Sequence, residues 1–242
     1  MNIDTLKPKN TDFLKIIAIT AMLIDHIGAT LAPTTAIYYP LKIIGRIAFP
    51  IFAYQIAAGY VNTRSVTKYL SLLSIFAVIS QIPYYLAFSG VHPQSTPLSD
   101  LNIFFTLVLG LLALYCYDAV GKNNFCKNFY INFVPVILFA VIAQIFNTDY
   151  GAYGVIIIFL CYILRFHPVR ALVSQSILTC VFIYQSHAPF WQIFCLMGFV
   201  AVYLPFFKQG IAYPTVKINK YLFYAFYPLH LLALYFIGVY LF

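Results

Sequence analysis

Asp25 and His26 stand side by side near the middle of an apolar run, where an ionisable pair is either a proton-handling site or an ion-paired strut. An imidazole has an unperturbed pKa of about 6.5, so a histidine held there suits a general base or proton relay at neutral pH. Successive helical residues diverge by about 100°, so Asp25 and His26 cannot readily bond each other and each needs its own partner. For Asp25 the chain offers Arg46 or Lys42 in the next apolar run, because opposite charges remove much of each other's desolvation penalty. For His26 the candidates are Asn102, Asp149, Gln81 or a tyrosine hydroxyl, and the sequence does not choose among them. His230, within Tyr227-Pro228-Leu229-His230, is a second imidazole at membrane depth, although Pro228 alone gives that segment a distinctive shape. The plainer alternatives are an ion pair that only fixes helix register for Asp25, and solvated loop positions for His92, His167 and His187.

Several other chemistries find no support. No two histidines lie three or four residues apart, so a helical metal site is not expected. The five cysteines, Cys116, Cys126, Cys161, Cys180 and Cys195, form no C-x-x-C pair and read as small packing residues. There is no P-loop, no Gly-rich dinucleotide fingerprint and no G-x-S-x-G elbow.

The elements that must position these residues follow from composition. The chain of 242 residues is 63% hydrophobic and 8% charged, with no Glu at all, too little polar surface to coat a soluble globule. Its formal charge of +8 is spread over short loops rather than gathered in a groove, which argues against nucleic acid. Apolar runs at 13–33, 41–61, 66–88, 101–118, 131–147, 150–165, 170–187, 189–207 and 221–242 predict an all-α, polytopic membrane bundle of nine helices in one domain, 1–242. The polar residues 1–12 lead into a run longer than a signal peptide's, which reads as a retained first span. Gly45 and Pro50 are expected to bend the second run around a pocket.

With nine crossings, twelve of the fourteen basic residues fall on one face: Lys7, Lys9, Lys15, Arg64, Lys68, Lys122, Lys127, Arg165, Arg170, Lys208, Lys217 and Lys220. The positive-inside rule then puts the amino terminus in the cytoplasm and Phe242 outside. The other two, Lys42 and Arg46, belong to the second run, and Arg46, Gln81 and His26 come out at similar depth in the outer half of the bilayer. An ionisable group so placed costs about 2.5–3.5 kcal/mol on insertion scales, so several at one level suggest a shared cavity.

The segment Leu14-Lys15-Ile16-Ile17-Ala18 through Ile24-Asp25-His26-Ile27-Gly28 resembles the opening of the TraX family, which takes its name from conjugal transfer and includes the acetylase of F-type pilin. The likeness continues through Ile44-Gly45-Arg46-Ile47-Ala48-Phe49-Pro50-Ile51-Phe52, Lys68-Tyr69-Leu70, Ser80-Gln81-Ile82-Pro83 and Leu101-Asn102-Ile103-Phe104-Phe105-Thr106-Leu107. It ends with Asp149-Tyr150-Gly151-Ala152-Tyr153-Gly154 and Phe226-Tyr227-Pro228-Leu229-His230. The resemblance implies an acetyl-CoA-dependent acyltransferase of the bacterial cytoplasmic membrane, acting on an extracytoplasmic acceptor such as a pilin amino terminus or an envelope component. On that reading His26 is the base, Arg46 either stabilises the oxyanion or holds the ion pair with Asp25, and His230 is a reserve base or acetyl carrier. Gln81, Asn102, Asp149 and Tyr227 would face the acceptor, while Arg64, Lys68, Arg165 and Arg170 would engage coenzyme A phosphates. A small transporter with an Asp25–Arg46–His230 relay, or a non-catalytic assembly factor for pili or envelope, are the alternatives.

Overall fold

A computed structural model describes residues 12–89, 98–122, 129–207, 213–214, 216–217 and 219–241. Lys7, Lys9, His92, Cys126, Lys127, Lys208 and Phe242 lie outside them. Among the described residues ten α-helices follow one another: α1 Asp12–Leu31, α2 Tyr38–Gly45, α3 Ala48–Asn62, α4 Val66–Ser89, α5 Ile103–Lys122, α6 Val134–Ile145, α7 Gly151–Ile163, α8 Pro168–Ser186, α9 Cys195–Phe207 and α10 Lys220–Leu241. Short 3-10 turns, Phe129–Phe133 and Phe190–Phe194, lead into α6 and α9. Among the described residues there is no strand, only the isolated bridge between Leu101 and Thr148. Helices are the expected answer in lipid, where each backbone group must be satisfied within its own segment.

The expected number of crossings needs correction. Six helices among the described residues are long and apolar enough to span a membrane, not nine: Asp12–Leu31, Tyr38–Asn62, Val66–Ser89, Ile103–Gly121, Phe190–Phe207 and Tyr221–Tyr240. Helix α6 has 12 residues and α7 has 13, which at 1.5 Å per residue gives about 18–20 Å against a hydrocarbon core of about 30 Å. Helix α8 is long enough but is interrupted by Ser174, Gln175, Ser176 and Thr179.

The break expected in the second run lies between α2 and α3, at Arg46 and Ile47. Pro50 explains it, because its ring nitrogen has no hydrogen to give the Arg46 carbonyl four residues earlier. The interruption sets Arg46 at a helix junction instead of inside a continuous rod.

Every residue of α3 from Ala48 to Ala57 is buried, so this helix forms the axis of the bundle, packed on α1, α5, α7 and α9. The outer helices carry the opposite pattern. On α4 the exposed large residues are Ile75, Val78, Ile79 and Ile82, and on α8 they include Val169, Val173, Ile177, Val181 and Tyr184. Such helical stripes of exposed aliphatics would be a liability in water and are lipid-facing in a membrane.

Close helix approach depends on small residues where no hydrophobic effect draws helices together. A Cβ at Gly154 of α7 would run into Thr106 on α5 and come within 2.8 Å of the Tyr150 Cβ. A Cβ at Gly45 would collide with Asp25, including a 2.6 Å approach to Cγ. Gly45→Ala must therefore push α1 from α2 and pull Asp25 off its partners. We expect it to destabilise the protein by about 1–3 kcal/mol, the usual range for overpacking, seen as a lower unfolding temperature in detergent. An unchanged transition would show that α1 and α2 are not locked at this crossing.

Candidate functional site

Asp25 and His26 leave α1 in different directions, as their helical phase requires. Asp25 turns toward α2, where its Oδ2 accepts a 2.8 Å hydrogen bond from Lys42 Nζ, and its Oδ1 accepts one from Arg46 Nη2. The sequence offered Arg46 or Lys42, and the fold uses both. Arg46 Nη1 also donates to Gln192 Oε1 at 3.0 Å, a partner that the 3-10 turn Phe190–Phe194 brings to the α2–α3 junction. Gln192 was missed in the sequence because nothing local marks it: it lies in an aromatic stretch distant from every other site residue.

His26 turns instead toward α10. Its Nδ1 lies 2.7 Å from His230 Nε2, and His230 Nδ1 lies 2.8 Å from the Phe226 carbonyl oxygen. The two rings are within 5° of parallel with centroids 5.0 Å apart. One ring radius on each side of the 2.7 Å contact accounts for that separation, so the imidazoles meet edge to edge in a shared plane and not face to face. Phe88 and Tyr227 close against His26 edge-on, at 5.4 and 6.1 Å between centroids. The imidazole is thus oriented by His230, and not by Asn102, Asp149, Gln81 or a tyrosine hydroxyl. The sequence held only a coarse signal for this pairing, two imidazoles within apolar runs, because uncertain helix ends leave their relative depth unfixed.

Asp25, His26, Lys42, Arg46, Asp149 and Tyr227 line one cavity of about 420 Å³ together with Tyr38, Tyr84, Phe88 and Tyr150. His230 is not on this wall and sits behind His26. Two acids, Asp25 and Asp149, face two cations, Lys42 and Arg46, so the formal charges of the chamber balance. Asp149 is held by the loop joining α6 to α7. Asn147 takes the left-handed conformation there (φ 51°), Leu101 N donates to its carbonyl at 3.1 Å, and Asp149 N donates back to Leu101 O at 2.9 Å. The Asp149 carboxylate takes no hydrogen bond or ion pair among the described residues, whereas Asp25 is fully engaged.

Gln81 and Asn102 do not line the cavity, which corrects their expected place beside an acceptor. Gln81 Oε1 accepts from Asn102 N and Nδ2, Asn102 Nδ2 also donates to Ala77 O, and Asn102 Oδ1 accepts from Phe104 N. Both amides are consumed in fastening the start of α5 to α4, the usual fate of buried polar side chains.

A second cavity, of about 800 Å³, opens where α1 begins and α3 ends. Arg64, Lys68, Lys15, Asp12, Asn62 and Ser65 border it, with Lys15 paired to Asp12 at 2.7 Å. Arg165 and Arg170, expected beside Arg64 and Lys68, are not on its wall. Arg165 lies over the Tyr162 and Phe166 rings, 4.5 and 4.6 Å from their centroids, and donates to the Tyr162 carbonyl, so it packs on α7's own end. Arg170 is exposed in the first turn of α8. The two cavities lie along the same helices, with Lys15 and His26 separated by about 16 Å of α1. Phe52 borders both.

The family model described as TraX protein matches residues 10–238. The chain is 28% identical over 248 residues to a probable fimbrial assembly protein FimC, serogroup H1, of Dichelobacter nodosus, covering 93% of this chain and 96% of that one. It is 33% identical over 159 residues to an uncharacterised protein of Rickettsia prowazekii (strain Madrid E), covering 65% of this chain and 56% of that one. No solved structure matches.

Proposed function

Since the chain belongs to the TraX family, we propose that it is a membrane-embedded acetyltransferase that moves an acetyl group from cytoplasmic acetyl-CoA to an extracytoplasmic amine. The acceptor is the amino terminus of a pilin or a comparable envelope component, and the membrane is the bacterial cytoplasmic one. The observation that carries this reading is the pair of cavities stacked along α1, α3, α4 and α10. One has a basic rim suited to phosphates, and the other holds an oriented imidazole next to an unengaged carboxylate. The fimbrial name of a relative aligned over nearly its full length agrees with a pilin-related acceptor.

In this reading Arg64 and Lys68 hold the donor's phosphates at the cytoplasmic face by charge-assisted hydrogen bonds, and Phe52 is the wall the acyl-bearing arm must pass. Asp149 attracts the acceptor as an ammonium, which releases one proton to water before attack. The neutral amine nitrogen then bonds to the thioester carbonyl carbon, and His26 takes the proton that this nitrogen must lose. Lys42 and Arg46, on the same wall, offset the negative charge on the carbonyl oxygen. When the C–S bond breaks, His26 returns the proton to the departing sulfur, so amine and thioester become amide and thiol with no proton gained or lost.

The direct test is incubation of the purified protein in lipid with labelled acetyl-CoA and envelope extracts, with mass spectrometry of whatever gains the label. Label should appear on a polypeptide or envelope amine, with matching loss of thioester. If no extract induces consumption of acetyl-CoA, the activity is wrong and a non-catalytic assembly role takes its place.

The basic rim gives a kinetic prediction. Arg64→Ala with Lys68→Ala should raise the KM for acetyl-CoA about tenfold with little change in kcat, because hydrogen bonds to charged groups contribute about 1.5–3 kcal/mol and these two are solvent-screened. Arg170→Ala, off the cavity wall, should leave KM alone. Equal effects of the two changes would move the donor site elsewhere.

A further inference from the structure

A single backbone oxygen decides where the protons lie on the His26–His230 pair. The Phe226 carbonyl can only accept, so His230 Nδ1, 2.8 Å away, must carry a hydrogen. In a neutral imidazole the other nitrogen is then an acceptor, and this one, Nε2, faces His26 Nδ1 at 2.7 Å. His26 Nδ1 must therefore bring the hydrogen to that contact, which leaves its own Nε2 bare. The shared plane of the rings puts this hydrogen on the line between the nitrogens, where an N–H···N bond is strongest.

We infer that His230 is a positioning residue that locks His26 in the Nδ1–H tautomer and presents His26 Nε2 to the cavity as the basic nitrogen. The inference rests on the reading of His26 as the base in acyl transfer. His26 borders the cavity and His230 does not, so the order of groups runs from the helix backbone through His230 to His26 and then to the substrate space. Such a chain fills the place that a carboxylate commonly fills behind a catalytic histidine, since Asp25 is turned away and engaged by Lys42 and Arg46. It also needs no rearrangement during turnover. When His26 Nε2 takes a proton, Nδ1–H keeps its bond to His230 Nε2, and the proton leaves again from Nε2 to the sulfur.

The backbone bond from His230 is made to the carbonyl four residues earlier, one turn back along α10. Pro228 lies between them and has no amide hydrogen for the Tyr224 carbonyl. The Tyr227-Pro228-Leu229-His230 segment thereby gains a chemical role besides its shape.

The test has two arms. Nitrogen-15 NMR of histidine-labelled protein in lipid, with the His26 signals assigned by their loss in His26→Gln, reads the tautomer in the resting protein without donor or acceptor. His26 should be protonated at Nδ1 alone, and His230→Leu should turn it into a mixture of tautomers. In the kinetic arm His230→Leu should lower kcat about a hundredfold, the scale of loss when a catalytic group is misplaced, with the KM for acetyl-CoA unchanged. His230→Gln, which keeps an acceptor near the Nε2 position, should recover the larger part of that loss. A wild-type His26 protonated at Nε2 would overturn the proposal. So would equal inactivity of His230→Gln and His230→Leu, which would make His230 itself a proton or acetyl carrier, or full activity of His230→Leu. If the tautomer is as stated but no acyl transfer is found with any acceptor, the positioning role stands and the reading of His26 as a base in acyl transfer falls.

Discussion

His26→Ala should lower acetyl transfer by about 10²–10⁴-fold, the range that positioned general bases contribute, while the protein still inserts and loses only the about 1–3 kcal/mol expected from leaving the buried His230 nitrogen without its partner. The two halves of this expectation come from different contacts. The imidazole lies on the wall of the inner chamber, is oriented by a hydrogen bond and has no ion pair among the described residues. It carries no salt bridge of α1, because Asp25 bears the bonds to Lys42 and Arg46. Removing it deletes chemistry, the edge contacts to Phe88 and Tyr227 and the hydrogen bond to His230, and leaves the α1–α2 crossing alone. Turnover of the purified variant, measured beside its melting curve in detergent, checks both halves. Retained turnover would remove His26 from the role of base, and a collapsed melting curve would make it a structural residue first.

Asp25→Ala should do the reverse, with a loss of up to about 3–5 kcal/mol in stability, because it leaves two half-buried cations without this counter-charge at the α1–α2–α3 junction. The residue is 8% exposed and its carboxylate is bonded through both oxygens, so its loss takes a counter-charge from both cations at once. Breaking one partner of such a set costs more than replacing the whole set. The triple change Asp25→Leu, Lys42→Met and Arg46→Met should therefore recover most of the lost stability without recovering transfer. Unfolding of the single and triple variants in the same detergent separates the contributions. If Asp25→Ala melts like the wild type, the ion triad is not what holds this crossing.

The Gly45 and Asp25 predictions meet at one place, since the glycine exists to let the carboxylate lie against the α2 backbone. Gly45→Ala and Asp25→Ala should accordingly be non-additive, as expected for residues in direct contact.

Particular residues show how far the sequence alone could go. Hydrophobic runs and sparse charge identified a helical membrane protein, because lipid imposes long apolar helices whatever their neighbours are. The number of crossings did not follow so easily, since α6, α7 and α8 are apolar or long without being both. Asp25, Lys42 and Arg46 were legible as a charge set, because an unpaired ion at that depth is too costly to keep and the available partners were few. Arg64 and Lys68 were separated from Arg165 and Arg170 only by the fold. All four sit in similar positions at run ends, and nothing in a linear pattern distinguishes a cation on a cavity rim from one lying on its own helix's aromatic rings.

The sequence by itself determined that polar groups at membrane depth must find partners, and that Asp25 and His26, one residue apart on a helix, must find different ones. Only the tertiary structure decided which ones. It spent Gln81 and Asn102 on each other, brought Gln192 to Arg46 across 146 residues, and set His230 behind His26 across 204. Helical phase is a local property that a sequence carries in its spacing. A hydrogen bond between helices depends on crossing angle, kink and axial shift to within an ångström, and those are fixed by the packing of the whole bundle at once.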